Sequence, residues 1–466
     1  SPKIAATATV TTMPTTPVQA HILLVSTPFQ SHVNPLMRLG RRLAAKGVLV
    51  TFTTAFRAGI RLDEDPDVDG FRVERLRGGG LWELDDPRLA VAGDMAHHLS
   101  SAGPAALEAL IRREAEAGRP VTCVVANAFV PWALRVAADM GLPRAILWIQ
   151  SCAVLSVYYH YLHALAPFPE ADDASGSLAI PGLPDLAIDE VRPLLIYTSS
   201  QDVDVWRQML VADLGSIREK VSWVFVNTFD TLEQETMSAL SEHVPVIPVG
   251  PFLEPETGEA DGCIEWLDAQ PPRSVVLLAF GSLVKTGDEE TTEIAEGLAG
   301  TERPFFWVLR DDNRALLSKD TLDGALTAAT SCGRGKVVAW CRQARVLAHG
   351  AVGCFVTHCG WNSTSEALAA GVPVVACPRW SDQSMNAKFL VDVYRVGVRG
   401  PTPVTRESLR LSIEEVMGGP EAAGIGLRAA SWKKRAREAL ADGGSTDNGV
   451  QAFVDQITEL ARSEGG

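Results

Sequence analysis

Short apolar runs alternate with amphipathic stretches along this chain, and their spacing predicts strands alternating with helices. HILLVST (21–27) reads as a buried strand. NPLMRLGRRLAAKG (34–47) follows as a helix, with Asn34 as N-cap, Pro35 at the first helical position, leucines at 36, 39 and 43, and Gly47 as the stop. VLVTFTT (48–54) supplies the next strand, so residues 21–54 form one βαβ unit. VTCVVAN (121–127), a helix around WALRVAADMG and RAILWIQ (144–150) repeat the pattern, and WVFVN (223–227) adds a strand. Strands this uniformly apolar imply a parallel sheet covered on both faces.

After Val244 the pattern breaks. VPVIPVGPFLEPETGEADGC (244–263) holds four prolines and a polar end, the best linker in the chain. Alternation then resumes with SVVLLAFGS (274–282), PFFWVLR (304–310), KVVAW (336–340), GCFVTH (353–358) and VPVVACP (372–378). The expected organisation is therefore two successive α/β domains, residues 19–245 and 264–448, joined by a linker at 246–263. Residues 449–466 are expected to form a helix packing back on the first domain. Residues 1–18, rich in Ala, Thr and Pro without a sustained apolar run, read as disordered and unlike a secretory signal.

Composition narrows the function classes. The 466 residues carry a formal net charge of −15, which argues against nucleic acid or an anionic membrane as partner. No apolar run approaches the ~20 residues that cross a bilayer. Eight cysteines include no C-x-x-C pair, which favours buried thiols over a disulfide or zinc framework. The acids of DEDPDVDG (63–70) and DVD (202–204) suggest a calcium loop or a metal clamp, but Leu76 stands where a calcium loop needs Glu, so solvated loop acids are expected. His160 and His163 sit among aromatic residues and read as a packed or pocket-lining face. No G-x-S-x-G elbow, Walker loop or intact G-x-G-x-x-G is present.

One stretch carries chemistry. In THCGWNSTSEALAAG (357–371) a strand runs through a turn into a helix whose first N–H groups have no intrahelical partner. Such a helix start suits a phosphate, and His358 at the strand end can add a donor. Ser363-x-x-Glu366 is equally a capping box, so residue chemistry alone leaves both readings open.

The longer window WCRQARVLAHGAVGCFVTHCGWNSTSEALAAGVPVVACPRWSDQ (340–383) resembles the nucleotide-sugar box of plant family 1 UDP-glycosyltransferases. PFQSHVNP, the AFGS turn and GSTDNGVQAFV extend that resemblance over nearly the whole chain. It implies a GT-B fold, two Rossmann-like domains with parallel sheets facing a central cleft, binding acceptor in the first and UDP-sugar in the second. It also implies a role for each matching residue: Trp340 stacking on uracil, Gln343 near the ribose, and Glu366 on the ribose hydroxyls. Ser282, His358, Asn362 and Ser363 would hold the diphosphate; Trp361, Asp382 and Gln383 would hold the sugar, in the glucose-using version. Arg342 stands where the family usually has Pro, which would loosen the Trp340 loop or add a cation near the nucleotide.

His32 aligns with the family's general base. An Asp usually orients that His, and Asn127 stands in its place here, able to hydrogen-bond an imidazole but not to charge it. A weaker base suits an acceptor already ionised, such as a carboxylic acid of pKa ~4. SHVNPL and WIQSCAVLSVYYHYLHALAPFP resemble the branch that glucosylates phenolic acids, with Gln150, Ser151 and Tyr158 as pocket candidates. The expectation is a metal-independent, inverting, cytoplasmic glucosyltransferase needing no cofactor beyond its donor substrate UDP-glucose, monomeric, acting on a small aromatic acceptor. A phenol O- or C-glucosyltransferase and a non-catalytic UDP-sugar binding protein are the alternatives.

Overall fold

The computed structural model describes residues 19–55, 68–82, 86, 88, 91–169, 176–195, 201–219, 221–253, 262–331 and 333–464. Residues 1–18, most of the acidic stretch at 63–70, the linker residues 254–261 and Cys332 lie outside them. The first half builds β1 (His21–Ser26), α1 (Gln30–Ala45), β2 (Leu49–Thr54), β3 (Phe71–Arg75), α2 (Ala92–Glu116) and β4 (Cys123–Asn127). It continues with α3 (Pro131–Asp139), β5 (Arg144–Trp148), α4 (Cys152–Leu162), the short pair β6 (Ser177–Leu178) and β7 (Leu186–Ala187), and α5 (Ile188–Leu195). Then come α6 (Gln201–Glu219), β8 (Trp223–Val226), α7 (Asp230–Leu240) and β9 (Val246–Pro248). Seven strands pair in the order β3-β2-β1-β4-β5-β8-β9, every neighbour parallel. Val246–Pro248, expected within the linker, is thus the edge strand of this sheet, where prolines do not interrupt a ladder.

The second half contains α8 (Gly262–Asp268), β10 (Val275–Ala279), α9 (Asp288–Gly300), β11 (Phe305–Val308), α10 (Asp311–Arg314), α11 (Lys319–Ser331) and β12 (Gly335–Val338). It goes on through α12 (Gln343–Ala348), β13 (Val352–Thr357), α13 (Trp361–Ala370), β14 (Val374–Ala376), α14 (Gln383–Lys388), a π-helical turn (Phe389–Val393) and β15 (Gly397–Arg399). Its six strands run parallel in the order β12-β11-β10-β13-β14-β15. Helices α15 (Arg406–Gly418), α16 (Ala422–Leu440) and α17 (Ser445–Glu464) close the chain. Both halves are Rossmann-like, as expected.

The last helix crosses back to the first domain. Phe453 packs edge-on against Phe225 and Trp223 at centroid distances of 4.8 and 5.1 Å, and Lys46 pairs with Asp447 at 2.6 Å. It begins at Ser445, four residues before the expected boundary.

Helix α1 also starts earlier than the pattern indicated. It begins at Gln30, so Asn34 is not an N-cap and Pro35 lies inside the helix. Asn34 instead accepts the Gln30 amide at 2.5 Å. Asp202 and Asp204 fall on α6 and not in a loop. His160 Nδ1 meets the Ser156 carbonyl at 2.8 Å, and His163 packs on Tyr159 at 4.3 Å, a packed arrangement. The seven described cysteines are thiols. No described helix is long and apolar enough to cross a membrane.

Candidate active site

Strand β13 is buried along its length and delivers His358 to the cleft between the domains. The chain then turns through Cys359 at φ +64° and Gly360, which caps α13 without a side-chain hydrogen bond. The first N–H groups of α13 are therefore left to whatever occupies the cleft. Gly281 and Gly360 close on the His358 ring from two sides: an added Cβ would sit 2.6 and 2.5 Å from it. Burial, helped by the nearby Arg379 charge, lowers the His358 pKa to about 4. It is a neutral imidazole, and its Nδ1 is buried without a partner among the described residues.

A cavity of about 220 Å³ opens in front of this turn, lined by Ser282, Trp340, Gln343, His358, Trp361, Asn362, Ser363 and Glu366. Seven of these are the residues that the resemblance assigns to the nucleotide, and Trp361 is one that it assigns to the sugar. Ser363 is the third residue of α13 and forms no capping box. Gln343 Nε2 donates to Ser363 Oγ at 2.9 Å and to Glu366 Oε2 at 2.8 Å, while Arg38 Nη1 lies 3.5 Å from Glu366 Oε1. Trp340, 39% exposed, offers its ring at the rim. Arg342 stands at the N-cap of α12 with φ −74°, a value that a proline could also adopt.

The first domain contributes one face of α1. Gln30, Asn34 and Arg38, four residues apart, line the same cavity. Arg38 carried no motif and was not read as a site residue; its position on that stripe was the available signal.

A second cavity of about 640 Å³ adjoins the first, sharing Ser31, His358, Gly360, Trp361 and Asn362 with it. Its first-domain side holds His32, Gln150 and Tyr158 with Phe29, Phe129 and Trp206; its second-domain side holds Asp382 and Gln383. The Gln383 side-chain Oε1 accepts the main-chain N–H groups of Arg379 and Trp380 at 2.9 and 3.2 Å. Burial raises the Asp382 carboxyl to about 6, against hydrogen bonds from Asn386 and Gln150 that lower it. Trp361 commits its indole N–H to the Asn227 carbonyl at 2.7 Å, so any contact it makes with a sugar uses the ring or the main chain.

Two expectations need correction. Asn127 does not meet the His32 ring. Its Nδ2 donates to Ser26 Oγ at 2.9 Å and to the His32 main-chain carbonyl at 3.0 Å, and its Oδ1 accepts Thr27 N–H at 3.1 Å. At the fully buried end of β4 the short side chain reaches only the β1–α1 turn. Ser151 does not line the cavity. Its Oγ caps α4 by accepting Val154 N–H at 3.2 Å and donates across the domains to Asn386 Oδ1 at 3.4 Å.

His32 itself stands at the junction, 8% exposed, its ring 5.8 Å from Phe29 and 5.6 Å from Phe129. Burial lowers its pKa to about 3, partly offset by the Ala128 carbonyl. The imidazole is neutral at neutral pH, and no carboxylate among the described residues is bonded to it. Phe29, Phe129 and Trp206 went unread because no motif joins them; tertiary packing does.

The model of a family described as UDP-glucoronosyl and UDP-glucosyl transferase matches residues 255–423. A gallate 1-beta-glucosyltransferase of Quercus robur is 41% identical over 94% of this chain and 89% of its own length. A cinnamate beta-D-glucosyltransferase of Fragaria ananassa is 40% identical over 95% of this chain and 83% of its own. Among solved structures, Os79 from O. sativa in complex with UDP superposes with a TM-score of 0.82 at 30% identity, over 94% of this chain and 100% of that one. The two domains thus have the GT-B arrangement.

Proposed function

Because the chain belongs to the UDP-glucoronosyl and UDP-glucosyl transferase family, we propose that it moves glucose from UDP-glucose to the carboxylate of a small phenolic acid. The product is a glucose ester with inverted anomeric configuration, formed without a metal. Trp340 stacks on the uracil and Glu366, held by Gln343, accepts the ribose hydroxyls. The diphosphate sits at the start of α13 against Ser282, His358, Asn362 and Ser363, and Asp382 and Gln383 take the sugar hydroxyls.

The chemistry follows from that arrangement. An acceptor oxygen in the larger cavity attacks the anomeric carbon as its bond to the β-phosphate oxygen breaks, and UDP departs with the electron pair. The uncapped N–H groups and dipole of α13 meet the growing negative charge, the interaction that lowers such a barrier most. The acceptor class follows from His32. A base of pKa about 3 with no carboxylate on its ring is poorly matched to a phenol of pKa ~10. A benzoate-type acid, pKa ~4, arrives ionised and asks only to be positioned. That mismatch carries the acid reading, and the gallate- and cinnamate-acting relatives support it.

The test is acceptor-dependent release of UDP from UDP-glucose. Turnover on adding a phenolic acid, undiminished by EDTA, is expected. Binding of UDP-glucose with no turnover of any acceptor would favour a non-catalytic binding protein, and loss in EDTA would end the metal-free reading.

A further inference from the structure

The wall of the larger cavity is held by a residue that no step above uses. Asp213, on α6, is fully buried. Its Oδ2 accepts the main-chain N–H of Phe129 at 2.6 Å, and its Oδ1 has no partner among the described residues. An acid buried with one oxygen unsatisfied is a standing cost to the fold. The residue it grips is also strained: Phe129 stands at φ +71°, the left-handed region that a bulky side chain rarely adopts.

Both costs serve one geometry. The left-handed turn after β4 aims the Phe129 ring at His32, 5.6 Å away, and sets it edge-on to Trp206 at 5.5 Å. Trp206 in turn packs on Phe29 at 5.3 Å. Trp206, Leu210 and Asp213 fall four and three residues apart, on one face of α6. A single helix face therefore supplies both a ring of the wall and the anchor for another ring.

We infer that Asp213 is a positioning residue for the acceptor: by holding Phe129 in its left-handed turn it keeps the Phe29, Phe129 and Trp206 rings around His32. The inference rests on the reading that the larger cavity takes an aromatic acceptor. Burial raises the Asp213 carboxyl well above the usual carboxylate range, which disfavours a negative charge beside an anionic acceptor. A charged anchor there would repel it.

Calorimetric binding of a benzoate-type acid and of UDP tests this in Asp213→Leu, Asp213→Asn, Phe129→Gly and the Asp213→Leu/Phe129→Gly double variant. Asp213→Leu should weaken acid binding about tenfold, the scale set by small misplacements, with UDP affinity unchanged. Asp213→Asn keeps a carbonyl for the Phe129 N–H and should stay within about twofold of the parent. Phe129→Gly, free to hold a positive φ, should lose acid binding as Asp213→Leu does, and the double variant should be no worse. If Asp213→Leu does not fold, Asp213→Ser, too short to reach the N–H, replaces it. Unchanged acid binding in the anchorless variant, an equal loss of UDP binding, or a full further loss on the Phe129→Gly background would each overturn the inference. A parent protein that binds no aromatic acid would instead overturn the acceptor reading beneath it.

Discussion

Asn362 takes the hydrogen bond that Pro35 leaves open. The Ser31 carbonyl lies one helical turn before Pro35, whose ring nitrogen has no hydrogen to give it, and Asn362 Nδ2 donates to it from the other domain at 3.0 Å. Arg38 and Glu366 make a second rung, seven residues on along α1 and four along α13. A proline inside α1 thus becomes part of the contact between the first domain and the proposed nucleotide site. Pro35→Ala would return the carbonyl to the helix ladder. Thermal denaturation should show a more stable protein, while calorimetry should show UDP-glucose bound more weakly by about 0.5–1.5 kcal/mol, roughly two- to tenfold. Gains in both would mean the rung contributes nothing to the donor site.

The acid limb of the pH profile should belong to Asp382. Its carboxyl is raised to about 6 by burial, and in the proposed site it accepts sugar hydroxyls more strongly when ionised. As pH falls through about 6 the group gains a proton, so kcat/KM for UDP-glucose, which reports the free enzyme, should fall about tenfold per pH unit below it. His32, lowered to about 3, is already unprotonated across this range and adds nothing to the limb. Asp382→Asn should lower the plateau and erase the limb; a limb at the same pH in that variant assigns it to another group.

Asn127→Asp tests whether position 127 acts on the imidazole. The amide N–H groups now reach Ser26 Oγ and the His32 carbonyl, so a carboxylate would turn oxygen toward oxygen in a fully buried site. Urea denaturation should show a loss of about 1–3 kcal/mol or more. A stable variant with improved phenol glucosylation would mean the side chain does serve the ring.

Trp340→Ala should weaken UDP binding by about 1–3 kcal/mol, the scale of base–aromatic stacking. Unchanged UDP affinity by calorimetry would place the uracil elsewhere.

Much of this was legible in the sequence because it was written locally. Runs such as SVVLLAF and GCFVTH are apolar on both faces and read as interior parallel strands, and the window at 340–383 suggested a role for each matching residue only through its resemblance to a known family. What misled was local grammar overridden by tertiary contacts. Asn34–Pro35 has the form of a helix start, yet α1 begins five residues earlier, at Gln30, and the bond that Pro35 cannot make is met across the cleft. Asn127 occupies the position of an orienting acid but folds under the turn. Ser151 lies beside pocket residues and is consumed as a cap. Phe129 follows β4 while Trp206 and Asp213 share α6, and the two segments meet only in the folded domain.

The central claim is that an ionised carboxylate, not a phenol, is the preferred nucleophile beside an imidazole of pKa about 3. The most direct measurement gives the enzyme UDP-glucose and an acceptor carrying both groups, a hydroxybenzoate, and treats the isolated glucoside with mild alkali. The expected product is the ester, which alkali cleaves to glucose and the free acid. A product that survives alkali with its carboxyl group free would show that the phenol oxygen or a ring carbon had reacted, and would contradict the account.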